Sequence, residues 1–141
     1  LDAVVNSKLT LAERLDVETN VKVFVGTQPL IHDVDLVVII GNLMDNALEA
    51  IAEQNSDEQR LLRVYISILK QQLYISITNS RSADQIIDPE YASTKNDKRG
   101  LGIRRINHLV DSYDGMINRQ YQPGVFVTEI LLPLTTIHAA K

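Results

Sequence analysis

Residues 62–69 and 73–78 form two β-rich runs separated only by Lys70-Gln71-Gln72, and so short a connection can join them only as an antiparallel hairpin. Ile66 and Ile68, then Leu73, Ile75 and Ile77, set an alternation that gives the pair one apolar face in need of cover. Helices can supply it. Leu36, Ile40, Leu43, Ala47 and Ile51 recur at helical spacing behind Asp33, a residue type that caps helices, and Ile103, Ile106, Leu109, Val110 and Tyr113 do the same directly after Gly102. A further helix over 1–15, with Leu1, Val4, Val5, Leu11, Ala12 and Leu15 apolar, leads in. Val21, Val23 and Val25 mark a short strand ending at Gly26 and Pro29, and a hairpin of 116–121 and 125–132, joined at Gln122-Pro123-Gly124, closes on Pro133. Residues 80–100 are polar and aperiodic, which predicts a long mobile loop. This order predicts an α+β, two-layer sandwich: a mixed, mostly antiparallel sheet of about five strands with about three helices on one face.

A chain of 141 residues is enough for one domain with a sizeable core, and 45% apolar with 23% charged residues is the balance of a soluble globular protein. There is no Cys, which excludes disulfides, thiolate metal sites and a Cys nucleophile, and makes the cytoplasm the expected location. No apolar run approaches the roughly 20 residues needed to cross a bilayer. A net charge of -4 argues against a nucleic-acid binder. The opening Leu1-Asp2 suggests a piece of a longer protein.

The helix over 33–51 carries an unusual polar face. Asn42, Asp45, Asn46, Glu49 and Glu53 fall in one stripe opposite the apolar one, and a merely solvated face would use Lys, Arg, Gln and Glu rather than two Asn, which are poor helix formers. From Asp33 to Gln59 there is no Lys or Arg, so a phosphate could approach only with a cation. An amide oxygen suits Mg²⁺, which keeps several waters and bridges to phosphates. The opposite sign gathers later, where Lys95, Lys98, Arg99, Arg104 and Arg105 surround Gly100-Leu101-Gly102 at a helix start. Glycine permits close backbone approach there, and helix N-termini attract phosphate. The pattern is neither a dinucleotide fingerprint nor a P-loop. Asn79 shares the alternation of Leu73, Ile75 and Ile77, so its amide should point inward, where it could match the donor and acceptor edge of adenine. His32, His108 and His138 read as surface residues.

Taken together, the Asn42-x-x-x-Asn46-Ala47 helix, inward Asn79, the Gly100-Leu101-Gly102 lid end and the last strand resemble the GHKL (Bergerat) ATP-binding fold over nearly the whole chain. Gly41 to Ala50, Ser93-Thr94-Lys95 and Arg99-Gly100-Leu101-Gly102-Ile103 look most like the catalytic domains of bacterial sensor histidine kinases, closest to Agr-type peptide-pheromone receptors, with citrate and dicarboxylate sensors next. The resemblance implies ATP and Mg²⁺ as ligands. Asn46 would be the Mg²⁺ ligand, Asn42 would line the phosphates, Asn79 would hold adenine, Arg99, Gly100, Leu101 and Gly102 would wrap the triphosphate, and Lys95 would be a lid contact. Residues 1–16 would come from an upstream dimerisation region, 17–141 would be the ATP-binding domain, and the lid would span about 80–100, by analogy with functional loops of that length. The partners implied are an upstream His-bearing dimerisation domain and a response regulator, in a membrane-anchored homodimer whose catalytic part is cytoplasmic. The usual D-x-G-x-G loop is here Asn79-Ser80-Arg81-Ser82-Ala83, a departure shared with the Agr-type branch. The family's Thr after the last hairpin glycine is Val125, with Thr128 expected on the other strand face and a poor substitute. Hydrolytic relatives place a Glu where Asn42 stands, and Asn cannot take a proton from water. Two alternatives stay open: a hydrolytic GHKL ATPase, and a degenerate GHKL interaction module.

Overall fold

The computed structural model describes residues 1–26, 30–55, 57–83 and 98–134. Helix α1 (Asp2–Arg14) leads into strand β1 (Glu18–Phe24), helix α2 (Asp33–Ala52) and the hairpin of β2 (Leu61–Leu69) and β3 (Gln72–Ser80). Helix α3 (Lys98–Ser112) and a second hairpin, β4 (Met116–Gln122) with β5 (Val125–Pro133), follow. The five strands make one sheet in the order β1-β2-β3-β5-β4. β1 and β2 are parallel because α2 carries the chain back between them, and the other pairs are antiparallel. The predicted α+β two-layer architecture, with three helices and a mixed sheet, is what forms.

One face of the sheet meets the helices. Leu62, Ile66, Ile75, Ile77, Ile130 and Leu132 of the sheet pack against Ile39, Ile40, Met44 and Ile51 of α2 and Ile106 and Val110 of α3. Each large apolar side chain buried this way contributes about 1.5–3 kcal/mol. That burial explains how α2 stays helical despite its Val and Ile content, since packing of an apolar face outweighs local propensity. Helix α1 joins the same core through Val5 and Ala12, and Lys8 bridges to Asp45 of α2 at 2.6 Å.

Several boundaries differ from the sequence reading: β1 starts at Glu18 and stops before Val25, and β3 runs on to Ser80. Asp33 is the first residue of α2 rather than its cap; His32 takes the cap position without a side-chain bond, and Asp33 and Asp35 act through their charge on the first turn. Gln72 belongs to β3, so the hairpin turn is Lys70 and Gln71 alone, both at positive φ (50° and 65°). Helix α3 begins at Lys98, a turn earlier than Gly102, so both glycines lie inside it. Among the described residues no helix is long and apolar enough to cross a membrane.

Candidate functional site

Strand register builds the floor of the site. Ile77 pairs with Thr128, which pairs with Arg119, and beside them Asn79 pairs with Phe126. Leu43, Asn46, Ala47 and Ala50 of α2 form one wall and Ile103 and Ile106 of α3 the other, with Arg81 completing the lining. The cavity itself is narrow, about 30 Å³, and opens on one side to solvent. Its walls are mostly apolar with a few polar groups, as in small-molecule sites.

Asn79 is buried at 4% exposure and faces inward, as its alternation predicts. Its Nδ2 donates one of its two protons to the Ser80 carbonyl at 2.9 Å, which leaves Oδ1 and the second N–H for a ligand. The Oδ1 acceptor matches an exocyclic amino group, such as N6 of adenine, and opposes a ring carbonyl. Asn46 is half-buried and lines the same pocket. No hydrogen bond to its amide occurs among the described residues.

Asn42 does not line the pocket. Its Nδ2 donates to Val38 O one turn back at 2.8 Å, and its Oδ1 lies 2.7 Å from where a Cβ on residue 102 would stand. Gly102 is therefore a packing requirement, letting α3 close onto α2 beside the pocket wall at Ile103. Gly100 is buried and Leu101 exposed in the first turn of α3, whose N-terminal end is the kind of backbone that attracts phosphate. Arg99 contributes backbone to that turn, while Lys95 and most of the expected lid, 84–97, lie outside the described residues.

The polar stripe of α2 divides. Asp45 turns to α1 and pairs with Lys8, so a cation from another element occupies the face that is acidic in sequence. Among the described residues no group of three or more His, Cys, Asp or Glu could hold a metal. A bare carboxylate cage is not what this site offers. The uncommitted Asn46 amide fits a Mg²⁺ that keeps most of its ligands from water and phosphate. His32 and His108 are exposed, as expected; the His32 backbone N–H donates to Tyr113 Oη at 3.3 Å, and His138 lies outside the described residues.

Thr128 corrects the sequence reading. It is buried and lines the pocket, whereas Val125 is exposed and does not. The signal was available, because Thr128 shares its parity with the buried Ile130 and Leu132. Arg81, Arg119 and Phe126 were also missed. Arg81 is buried, and its backbone N–H donates to Gly124 O at 2.9 Å, which ties the end of β3 to the last hairpin turn. Arg119 Nη2 donates to Asn107 Oδ1 of α3 at 2.8 Å.

A five-stranded mixed sheet covered on one face by helices, with an amide-bearing pocket between the α2–α3 layer and the sheet, defines a two-layer α/β ligand-binding domain. A family model described as the GHKL domain matches residues 31–133, and the chain belongs to that family. Its fold is that of histidine kinase catalytic domains. The histidine kinase domain of the Erythrobacter litoralis EL346 blue-light activated histidine kinase superposes with a TM-score of 0.75 at 16% identity, over 96% of this chain and 61% of that one. Acinetobacter baumannii histidine kinase AdeS gives 0.65 at 15% identity, over 95% and 64%. The catalytic domain of histidine kinase ThkA gives 0.69 at 16% identity, over 97% and 94%. The chain thus spans less than two thirds of the first two structures, and most of the third. No curated protein matches by sequence.

Proposed function

We propose that this chain is the ATP-binding catalytic domain of a two-component sensor histidine kinase, presenting Mg-ATP to a His on a separate dimerisation domain. The observation that carries this reading is the meeting of Asn79 and Asn46 in one apolar-walled pocket of a GHKL domain. The Asn79 carbonyl would accept from the adenine amino group between Ile77, Phe126 and Thr128. The first turn of α3 would face the phosphates. Asn46 would hold Mg²⁺, which when bound neutralises phosphate charge; the chain's own work is to position the nucleotide and exclude water from its base.

Asn42 favours a kinase over a hydrolase. A carboxamide is not basic enough to take a proton from an attacking water, and Asn42 Nδ2 is occupied in donating to Val38 O. The glycine-free Asn79-Ser80-Arg81-Ser82-Ala83 segment supports placement near the Agr-type receptors, with a membrane-anchored dimer and a response regulator as the wider partners. Mixing the chain with a matching His-bearing helical domain and γ-labelled ATP tests this. Label on the His is the expected result. Steady release of phosphate by the chain alone would favour the hydrolytic alternative, and no ATP binding would favour the degenerate module.

A further inference from the structure

Beside the pocket, and outside its lining, runs a chain of hydrogen-bonded polar groups with Gln54 and Ser80 buried at its centre. Ser80, at the end of β3, is held through its side chain: Leu61 N–H donates to Ser80 Oγ at 2.8 Å, and Ser80 Oγ donates to Gln54 Oε1 at 2.6 Å. Gln54 is buried just past α2 and is fixed in turn. Its Nε2 donates to Gln59 O at 3.1 Å, and its backbone carbonyl accepts from Arg60 Nη2 at 2.9 Å. Arg60 Nη1 reaches Leu15 O, at the end of α1, at 2.8 Å. On the pocket side, the carbonyl of this anchored Ser80 is the group that receives Asn79 Nδ2.

Solvated polar residues would not need this. Gln54 and Ser80 are 5% and 8% exposed, and burying them costs free energy unless each hydrogen bond is made. Together with the pairing of Ser80 to Val125, these bonds hold the carbonyl that accepts Asn79 Nδ2. We propose that Gln54 and Ser80 are positioning residues that hold Asn79 with Oδ1 toward the base, and so make the site select a 6-amino purine over a 6-oxo purine. This rests on the nucleotide reading above. With the anchor cut, the amide can rotate and offer Nδ2, which suits a ring carbonyl as well as Oδ1 suits an amine.

The test compares ATP and GTP affinity, with Mg²⁺, for the whole chain and for Ser80→Ala, Ser80→Thr and Gln54→Leu, with melting curves showing that each is folded. Ser80→Ala and Gln54→Leu should each lower the ATP-over-GTP preference by about tenfold, the scale of one mispaired base contact. Ser80→Thr, which keeps the hydroxyl, should retain the parent ratio. In an Asn79→Asp background, where both side-chain oxygens accept, Ser80→Ala should leave the ratio unchanged; a merely structural role would lower both affinities without this dependence. An unchanged ratio in folded Ser80→Ala and Gln54→Leu overturns the proposal while leaving ATP binding standing. Absence of any nucleotide binding by the parent overturns the nucleotide reading, and this proposal with it. If the variants do not fold, the parent itself decides by NMR: a slowly exchanging Asn79 Nδ2 proton supports the anchor, and rapid exchange overturns it.

Discussion

Gly102 is the residue at which α3 comes down onto Asn42 of α2. A methyl there would sit 2.7 Å from Asn42 Oδ1, and the Val38 carbonyl holds that amide in place. Gly102→Ala should therefore destabilise the domain by about 1–3 kcal/mol, the usual cost of overpacking, when measured by urea unfolding. Most of that cost should vanish in an Asn42→Ala background, because the two groups are in contact and their effects do not add. The same scale shows how a glycine reads in sequence. Gly100 and Gly102 look like loop residues because glycine is the commonest loop signal, and only the neighbouring helix reveals that Gly102 is chosen for its missing side chain. Asn79 was legible for the opposite reason. Its place follows from strand parity, a rule needing no knowledge of the partner. Thr128 obeys that rule too: it lies on the face opposite Val125, as expected, but that face and not the one after the hairpin glycine is the pocket side. Arg81 carries no sequence signal of its own, since what brings it to the pocket is the tie between the end of β3 and the distant last hairpin, whereas Arg119 is placed opposite Thr128 by the hairpin itself.

Elements were easier to read than their ends. Apolar periodicity marks α1, α2, α3, β1, β2 and β3, because burial on one face leaves its period in the sequence, while the β4–β5 hairpin is marked by Gln122-Pro123-Gly124. The turn between β2 and β3 left no such mark. Lys70 and Gln71 both take positive φ, a conformation that side chains other than Gly and Asn resist, so neither is the residue the turn calls for. Tertiary pairing of β3 on both sides imposes it. Replacing Lys70-Gln71 by Asn-Gly should stabilise the domain by up to about 1 kcal/mol and raise the Tm by a few degrees, measured by calorimetry. A fall in Tm would show that the exposed Lys70 or Gln71 side chain makes a contribution the turn geometry does not predict. The start of α3 is hidden for a different reason: two of its first five residues are glycines, which disfavour helix, and its neighbour α2 supplies the packing.

At the scale of the whole molecule, the helical layer is tied across its ends. Tyr113, at the end of α3, donates to the Asp35 carboxylate at the start of α2 and accepts from the His32 backbone. Burial, then the hydrogen bond to Asp35, push the Tyr113 phenol above its ordinary 10.0. Burial and the hydrogen bond to Glu129 do the same to Tyr74, on the sheet. Both phenols keep their protons in the folded chain at pH values where the unfolded chain releases them. Their stabilisation is whole below pH 10.0 and drains away as the pH rises beyond it. Urea unfolding followed upward from neutral pH should show stability falling above about pH 10, the ordinary Tyr range, and Tyr113→Phe should flatten that fall.

What fills the pocket beneath α2 and α3 is decided by titrating the chain with ATP in a calorimeter, with and without Mg²⁺, and repeating the titration on Asn46→Ala. Saturable binding at millimolar ATP or below, strengthened by Mg²⁺ in the parent and much less so in Asn46→Ala, is the predicted result. No binding by the parent at millimolar ATP would contradict the nucleotide reading, while equal Mg²⁺ dependence in parent and variant would remove Asn46 as the metal ligand.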